Sequence, residues 1–270
     1  EQFFYDNKLW YLAGIKYSKM AVKIISDFIK KILFFSQSAR KKCLILDLDN
    51  TLWGGVLGEL GPEKIQLSKT GPYSAFRDFQ IEIKRIKETG ILLAIASKNE
   101  FKNVEKAFKE NDNMILSLDD FVSVKANWGP KSSSIKELKE ELNISFESMV
   151  FIDDNPFERE EVKKTLNEVI VPEFPGRVVD LPEFATKLFD EYFFIETLTD
   201  SDKKKTTQTK SLISFNTEKS NYENIDDYLN SLDLSLEISI NNTKMIDRMT
   251  QIINKTNQFN LNGRRIDESY

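Results

Sequence analysis

The sequence contains no histidine and only one cysteine, Cys43, in 270 residues. The first absence removes histidine metal sites, serine–histidine triads and histidine phosphotransfer, and leaves carboxylates to carry any acid–base chemistry. The second excludes an internal disulfide and suits a reducing compartment, so a cytoplasmic location is expected. No run of about 18 apolar residues occurs, so no membrane span or membrane partner is expected. The opening stretch, "EQFFYDNKLWYLAG", has no basic n-region, no apolar h-region and no Met; it reads as an excised piece of a longer chain and not as a signal peptide. Net charge is −5, which provides no global reason to expect nucleic acid. The 20 phenylalanines have no accompanying basic stripe and read as core and interface packing, not as a base-stacking platform.

What is present alternates between two periodicities. Residues 18–35 carry apolar residues at helical spacing behind Ser18, a candidate cap. "CLILDLD" (43–49) is a continuous apolar run ending in acids, as expected of a central parallel strand. An amphipathic helix over 74–90 closes at Gly90, and "ILLAIASKN" (91–99) reads as a second buried strand. A helix at about 100–111, a strand at 121–126, a helix at 132–143 with serines available to cap it, and a strand at 148–156 follow. The helix "EREEVKKTL" and a short strand, "EVIVPEFP" (168–175), stopped by Pro172, complete the series. Such alternation predicts a doubly wound α/β fold, a parallel sheet with helices on both faces.

In such sheets ligands bind outside the carboxyl ends of the strands. Asp47 and Asp49, Ser97, and Asp153 with Asp154 are all expected at that edge, with Lys131 at the start of a helix nearby. Four carboxylates and a lysine without histidine form a hard-oxygen site suited to Mg²⁺. Each residue also has a bland reading: the DxD as a turn-capping pair, Ser97 as a helix cap, Lys131 as a solvated side chain, and Asp153–Asp154 as a helix entry before Asn155–Pro156. The signal lies in their joint occurrence.

The blocks "KKCLILDLDNTLWGGVLGELG" (41–61), "GPYSAFRDFQ" (71–80), "LLAIASKNE" (92–100), "DDFVSVKANWGPK" (119–131), "VFIDDNPFERE" (150–160), "VIVPEFP" (169–175) and "NKTNQFNLNGRR" (254–265) resemble the FkbH-like branch of the haloacid dehalogenase superfamily. The resemblance implies a Mg²⁺-dependent phosphatase or phosphotransferase with a Rossmann-like fold and little or no cap. It further implies recruitment of a phosphoglycerate, 1,3-bisphosphoglycerate, with loss of phosphate and loading of a glyceryl unit onto an acyl carrier protein. On this pattern Asp47 is the nucleophile. Asp49 is the general acid and base, and its backbone carbonyl binds the metal. Thr51 braces the turn, and Ser97 and Lys131 hold the phosphoryl oxygens. Asp47, Asp49, Asp154 and Asp153 form the metal set, with Asp154 as the direct ligand and Asp153 behind it; the order of the last two could be reversed.

Spacing adds two expectations. From Ser97 to Lys131 there is room for one helix, one strand and their loops, and between Asp49 and the helix at 74 only for a Gly-rich flap (54–71), so no large cap is inserted. The flap lacks GxxxxGK[ST], which argues against a nucleotide P-loop. The expected organisation is a lead-in helix from a longer chain (1–40), a phosphatase domain (41–195), a polar linker or exposed helix (196–230) containing Lys203–Lys205, and a truncated acetyltransferase-like remnant (231–270). A short helix (225–232) runs from the linker into the remnant, which continues as a strand (233–240) and a helix (244–259). Cys43 lies about 13 Å of strand from Asp47, at the opposite edge of the sheet, and reads as a buried small hydrophobe rather than a thioester carrier. Two other functions remain open: a general phosphatase for a small phosphate ester or phosphoprotein, and a non-catalytic module that docks a carrier protein.

Overall fold

The computed structural model describes residues 4–37, 40–195, 198–220 and 246–255, together with Ser235 and Ile238. It divides into two units, Glu1–Thr217 and Glu218–Tyr270. In the first unit the elements run α1 (Asn7–Ala13), α2 (Lys19–Gln37), β1 (Cys43–Leu46), α3 (Leu57–Leu60), α4 (Ser74–Glu88), β2 (Leu92–Ser97), α5 (Phe101–Glu110), β3 (Phe121–Ala126), α6 (Lys131–Leu142), β4 (Met149–Ile152), α7 (Pro156–Thr165), α8 (Leu181–Leu188), α9 (Asp200–Lys203) and α10 (Lys205–Ser220), which crosses the boundary. In the second unit α11 (Ile246–Lys255) is described. The expected helix at 225–232 and, apart from Ser235 and Ile238, the expected strand at 233–240 lie outside the described residues. No described helix is long and apolar enough to cross a membrane.

The doubly wound parallel sheet expected from the alternation is present, in the order β3-β2-β1-β4 with every pairing parallel. β1, β2 and β4 are buried along their whole length, which is why they read as apolar runs rather than as alternating patterns, whereas the edge strand β3 is buried only over its first three residues. Leu44, Leu46, Leu93, Ile95, Val150 and Ile152 turn one way, onto Phe76, Phe79 and Ile83 of α4 and Leu181 and Ala185 of α8. Cys43, Ile45, Ala94, Ala96, Met149 and Phe151 turn the other way, onto Ile135 and Leu138 of α6 and Val162 of α7.

Local chemistry sets the element ends, and in places it departs from expectation. Ser18 Oγ accepts from Ala21 N at 3.1 Å, as a cap does. The serines of α6 do not cap: Pro130 takes that place, and Ser132 instead bonds Glu161 of α7 through both its backbone N (3.2 Å) and its hydroxyl (2.5 Å). The strand expected at 168–175 is reduced to a single bridge, Val150 to Ile170, held by Phe151 N to Ile170 O (2.8 Å) and Ile170 N to Met149 O (3.1 Å). Pro172 has no N–H with which to continue the ladder. β1 and β4 stop at Leu46 and Ile152, so the acids sit in the loops immediately beyond them. The polar stretch after 196 contains α9 and α10, in which Thr206 is buried and Lys210 Nζ donates to Asp119 O at 2.9 Å.

The chain builds β1, β2 and β3 outward in one direction and then returns to place β4 on the other side of β1. The crevice between β1 and β4 is therefore the topological switch point of the sheet. Register completes the placement: Leu46 pairs with Ile152, and Asp47 N donates to Ile152 O at 3.0 Å, so Asp47 and Asp153 emerge side by side.

Candidate active site

A cavity of about 320 Å³ opens at this switch point, and Asp47, Asp49, Ser97, Lys131, Asp153 and Asp154 all line it. Thr51 does not line it. It is fully buried beneath, where its hydroxyl accepts from Asp154 N at 3.3 Å and so ties the loop after β1 to the loop after β4.

Carboxylate oxygens of Asp47, Asp153 and Asp154 lie within 4.8 Å of one another. Lys131, 3% exposed, reaches into this cluster from the first turn of α6. Its Nζ donates to Asp47 Oδ1 (2.5 Å) and Ala96 O (2.7 Å) and lies 3.2 Å from Asp153 Oδ2. That Asp153 oxygen is buried at ion-pair distance from the lysine yet has no aligned hydrogen bond. Its partner oxygen accepts from Asn155 N at 2.8 Å. Arg159 Nη1 braces the same loop from below, donating to Asp153 O (3.0 Å) and Asp154 O (2.8 Å).

Burial raises the carboxyl pKa of Asp153 and Asp154, and the neighbouring Asp47 charge raises both further; Asp154 is pushed up to about 6. Lys131 is held the other way. Burial would lower its pKa, but Asp47 and Asp153 together keep the ammonium above its ordinary value.

Asp49 is set apart from the cluster. Its Oδ1 accepts from Trp53 Nε1 (3.0 Å) and Leu57 N (3.1 Å), and its Oδ2 from Asn99 Nδ2 (3.0 Å). Burial raises its pKa and the Asp47 charge adds to that rise, against the three hydrogen bonds. The tight loop that brings the donors round requires special backbone. Asn50 has φ 53° and its side chain accepts from Gly55 N at 2.8 Å. At Gly55, φ +86°, a Cβ would lie 2.2 Å from Leu60 Cδ1.

Asn99 was not singled out from the sequence, although it lies two residues past Ser97. One amide joins the two candidate residues, donating to Asp49 Oδ2 and, at 3.1 Å, to Ser97 Oγ. Trp53, Lys98 and Glu158 were also missed; the last two face each other on the cavity wall, Lys98 Nζ to Glu158 Oε1 at 2.5 Å.

The donor set suits a hard divalent cation. Three clustered carboxylates, one with a buried oxygen lacking a hydrogen bond, offer oxygen ligands only, and the open cavity leaves room for the waters that Mg²⁺ retains.

The sheet order, the switch-point cavity and the acid cluster define a Rossmann-like α/β fold with an oxygen-ligand site at its switch point. The chain is 41% identical to the N-terminal part of the protein BF1531 from Bacteroides fragilis, described as containing a phosphatase domain complexed with Mg, with a TM-score of 0.60 over 73% of this chain and 52% of that one. It thus spans about half the length of that relative. Two slighter likenesses are to 3-deoxy-D-manno-octulosonate 8-phosphate phosphatase from Moraxella catarrhalis (16% identity, TM-score 0.35, 74% of this chain and 98% of that one) and to a putative HAD superfamily (subfamily III A) hydrolase from Legionella pneumophila (14%, 0.37, 72% and 99%). No protein-family model matches the chain, and no curated protein does.

Proposed function

We propose that the chain is a Mg²⁺-dependent phosphatase of the FkbH-like branch, acting through an aspartyl-phosphate on a phosphoglyceryl substrate such as 1,3-bisphosphoglycerate, with the glyceryl unit passing to an acyl carrier protein. The observation that carries the reading is the convergence of Asp47, Asp153, Asp154 and Lys131 at the β1/β4 switch point. The likeness to a phosphatase domain complexed with Mg supports it.

Asp47, Asp154 and Asp153 would hold the metal, with the backbone carbonyl of Asp49. Asp154 would be the direct ligand, with Asp153, whose Oδ1 takes Asn155 N and whose Oδ2 faces Lys131, behind it. When bound, the ion would offset the clustered negative charge and that of the phosphoryl group.

An Asp47 oxygen attacks phosphorus in line, forming the O–P bond as the bond to the leaving oxygen breaks. Asp49 gives its proton to that leaving oxygen, and the three donors around it hold it in position. Asp49, now ionised, takes a proton from water, whose oxygen attacks the aspartyl-phosphate, and inorganic phosphate leaves with Asp47 restored. Ser97 donates to the phosphoryl oxygens, and Lys131 opposes their charge throughout. In glyceryl transfer the carrier thiol sulfur would bond to the acyl carbon as the C–O bond to phosphate breaks, with phosphate leaving and taking up the thiol proton.

Features of the cavity mouth support a macromolecular partner. Among the described residues the only α-helix between β2 and β3 is α5, which leaves no cap inserted there. Phe157, 83% exposed, adjoins Pro156 of the cavity wall, and Trp128, 73% exposed, lies three residues before Lys131. An exposed aromatic next to the cavity wall, as Phe157 is, suits contact with a protein surface.

The test is phosphate release from a panel of phosphorylated metabolites with Mg²⁺, with and without carrier protein. Asp47→Asn should abolish release while circular dichroism shows the fold retained, and excess chelator should stop the wild type. Release by Asp47→Asn at the wild-type rate would sink the mechanism.

A further inference from the structure

The mechanism leaves one ion pair on the cavity wall without a role. Lys98, directly after Ser97 at the end of β2, holds Glu158 in the first turn of α7 at 2.5 Å, and both side chains line the cavity. Lys98 is 40% exposed on its side chain and Glu158 17%, so the pair stands at the mouth and not in the core.

Charge on the wall indicates what this pair could do. The lining holds five carboxylates, Asp47, Asp49, Asp153, Asp154 and Glu158, against two lysines. Lys131 is committed to Asp47, Asp153 and Ala96 O at the floor. A phosphate ester carrying a second anionic group must place that group somewhere in a negative cavity, and Lys98 is the remaining cation on its wall. The pair is partly open to solvent on its Lys98 side, so water screens it and Glu158 can be exchanged for another anion of similar shape.

We propose that Lys98 forms a subsite for a second anionic oxygen group on the substrate, the carboxylate or acyl phosphate at its far end, and that Glu158 occupies Lys98 until substrate displaces it. The assignment rests on the phosphatase reading above and deepens it by naming the residues that would take and guard the far end of such a substrate. Glu158 is then a competitor for the subsite, so removing it acts opposite to removing Lys98. In a structural latch the two removals would act alike.

Three esters separate the cases: glycerol 3-phosphate has no second acid, 3-phosphoglycerate adds a carboxylate, and 1,3-bisphosphoglycerate carries an acyl phosphate there. For each acidic ester, the readout is its kcat/KM divided by that for glycerol 3-phosphate. Lys98→Met should lower this ratio about tenfold to a hundredfold, the worth of a charge-assisted hydrogen bond, with the loss in KM. Glu158→Gln should raise it severalfold. Which acidic ester responds more identifies the natural group. Equal loss on all three esters in Lys98→Met, or a fall in the ratio in both variants, would overturn the proposal. If the wild type hydrolyses none of the esters, the phosphatase reading fails on its own. Calorimetric binding of 3-phosphoglycerate and glycerol 3-phosphate to the Mg²⁺-loaded protein and both variants then decides the subsite by the same two signs.

Discussion

Removing the Lys131 ammonium tests the electrostatic design of the site most directly. Lys131→Met keeps the length of the side chain and its packing but leaves Asp47, Asp153 and Asp154, with oxygens within 4.8 Å, without their buried counter-charge. Breaking a buried ion pair from one side costs about 3–5 kcal/mol, because the abandoned charge stays in a poor solvent. Here the acids have two ways out. They can take up a proton, or they can take a metal.

The first way fixes a pH dependence. Asp153 and Asp154 have folded-state pKa values raised above the ordinary carboxylate value, Asp154 to about 6. A raised carboxyl binds its proton more tightly when folded, so its contribution to stability is full below the unfolded pKa of about 4 and is lost as pH rises through about 6. Loss of Lys131, whose charge lowers both values, moves them further up. The variant should therefore be close to wild type at pH 5 and destabilised by about 3 kcal/mol at pH 8 without metal, a melting temperature lower by about 6–12 °C. Millimolar Mg²⁺ should recover most of the difference at pH 8 while phosphate release stays low, since the phosphoryl oxygens have lost their lysine. Thermal melts at the two pH values, with chelator and with Mg²⁺, measure all of this. A variant as stable as wild type at pH 8 in chelator, or one losing as much at pH 5, would refute the reasoning.

Mg²⁺ affinity of the wild type, followed by intrinsic fluorescence, should weaken by up to about tenfold per pH unit below 6, because Asp154 must shed its proton to bind; an affinity level from pH 7.5 to 5 would contradict the ligand set. Asp154→Ala should weaken that affinity more than Asp153→Ala. Asn99→Ala removes the amide that joins Asp49 to Ser97, and should lower kcat about tenfold or more while unfolding by urea shows about 1 kcal/mol of lost stability. Gln80→Leu should cost more stability with no bond to the site, because Gln80 donates to Leu52 O at 2.8 Å and accepts from Ile115 N and Leu116 N at 3.0 and 3.2 Å, and denaturant melts should show a loss of about 2–4 kcal/mol.

How much of this was readable beforehand follows from the range of each interaction. Strands buried on both faces announce themselves as apolar runs, so "CLIL", "LLAIAS" and "MVFI" and the acids beyond them were legible, and with them the edge at which the site lies. Strand order was not legible, because nothing local says that β4 returns to the far side of β1. The same limit hid Asn99, whose meaning lies in two partners, one of them 50 positions away, and the Lys98–Glu158 pair, 60 positions apart. The serines of α6 misled for a related reason. Ser132 has a long-range partner in Glu161 on α7, and that bond outweighs the local preference for a cap.

The two ends of β1 also bear on how a glyceryl unit could travel. Cys43 and Asp47 belong to one short stretch of chain, yet the strand holds them about 13 Å apart and points the thiol into the packing against α6 and α7. Cys43 is fully buried, and burial pushes its pKa up to about 12, so almost none of it is thiolate, the form that attacks an acyl carbon. A route that parks the glyceryl group on Cys43 would have to open the central strand that positions Asp47, destroying the site that made the acyl donor available. Within the described residues a covalent relay and an intact phosphate site are therefore mutually exclusive. On the proposed function, transfer would run either directly from acyl phosphate to an incoming carrier thiol at the cavity mouth, where Lys98 stands, or through a thiol other than Cys43.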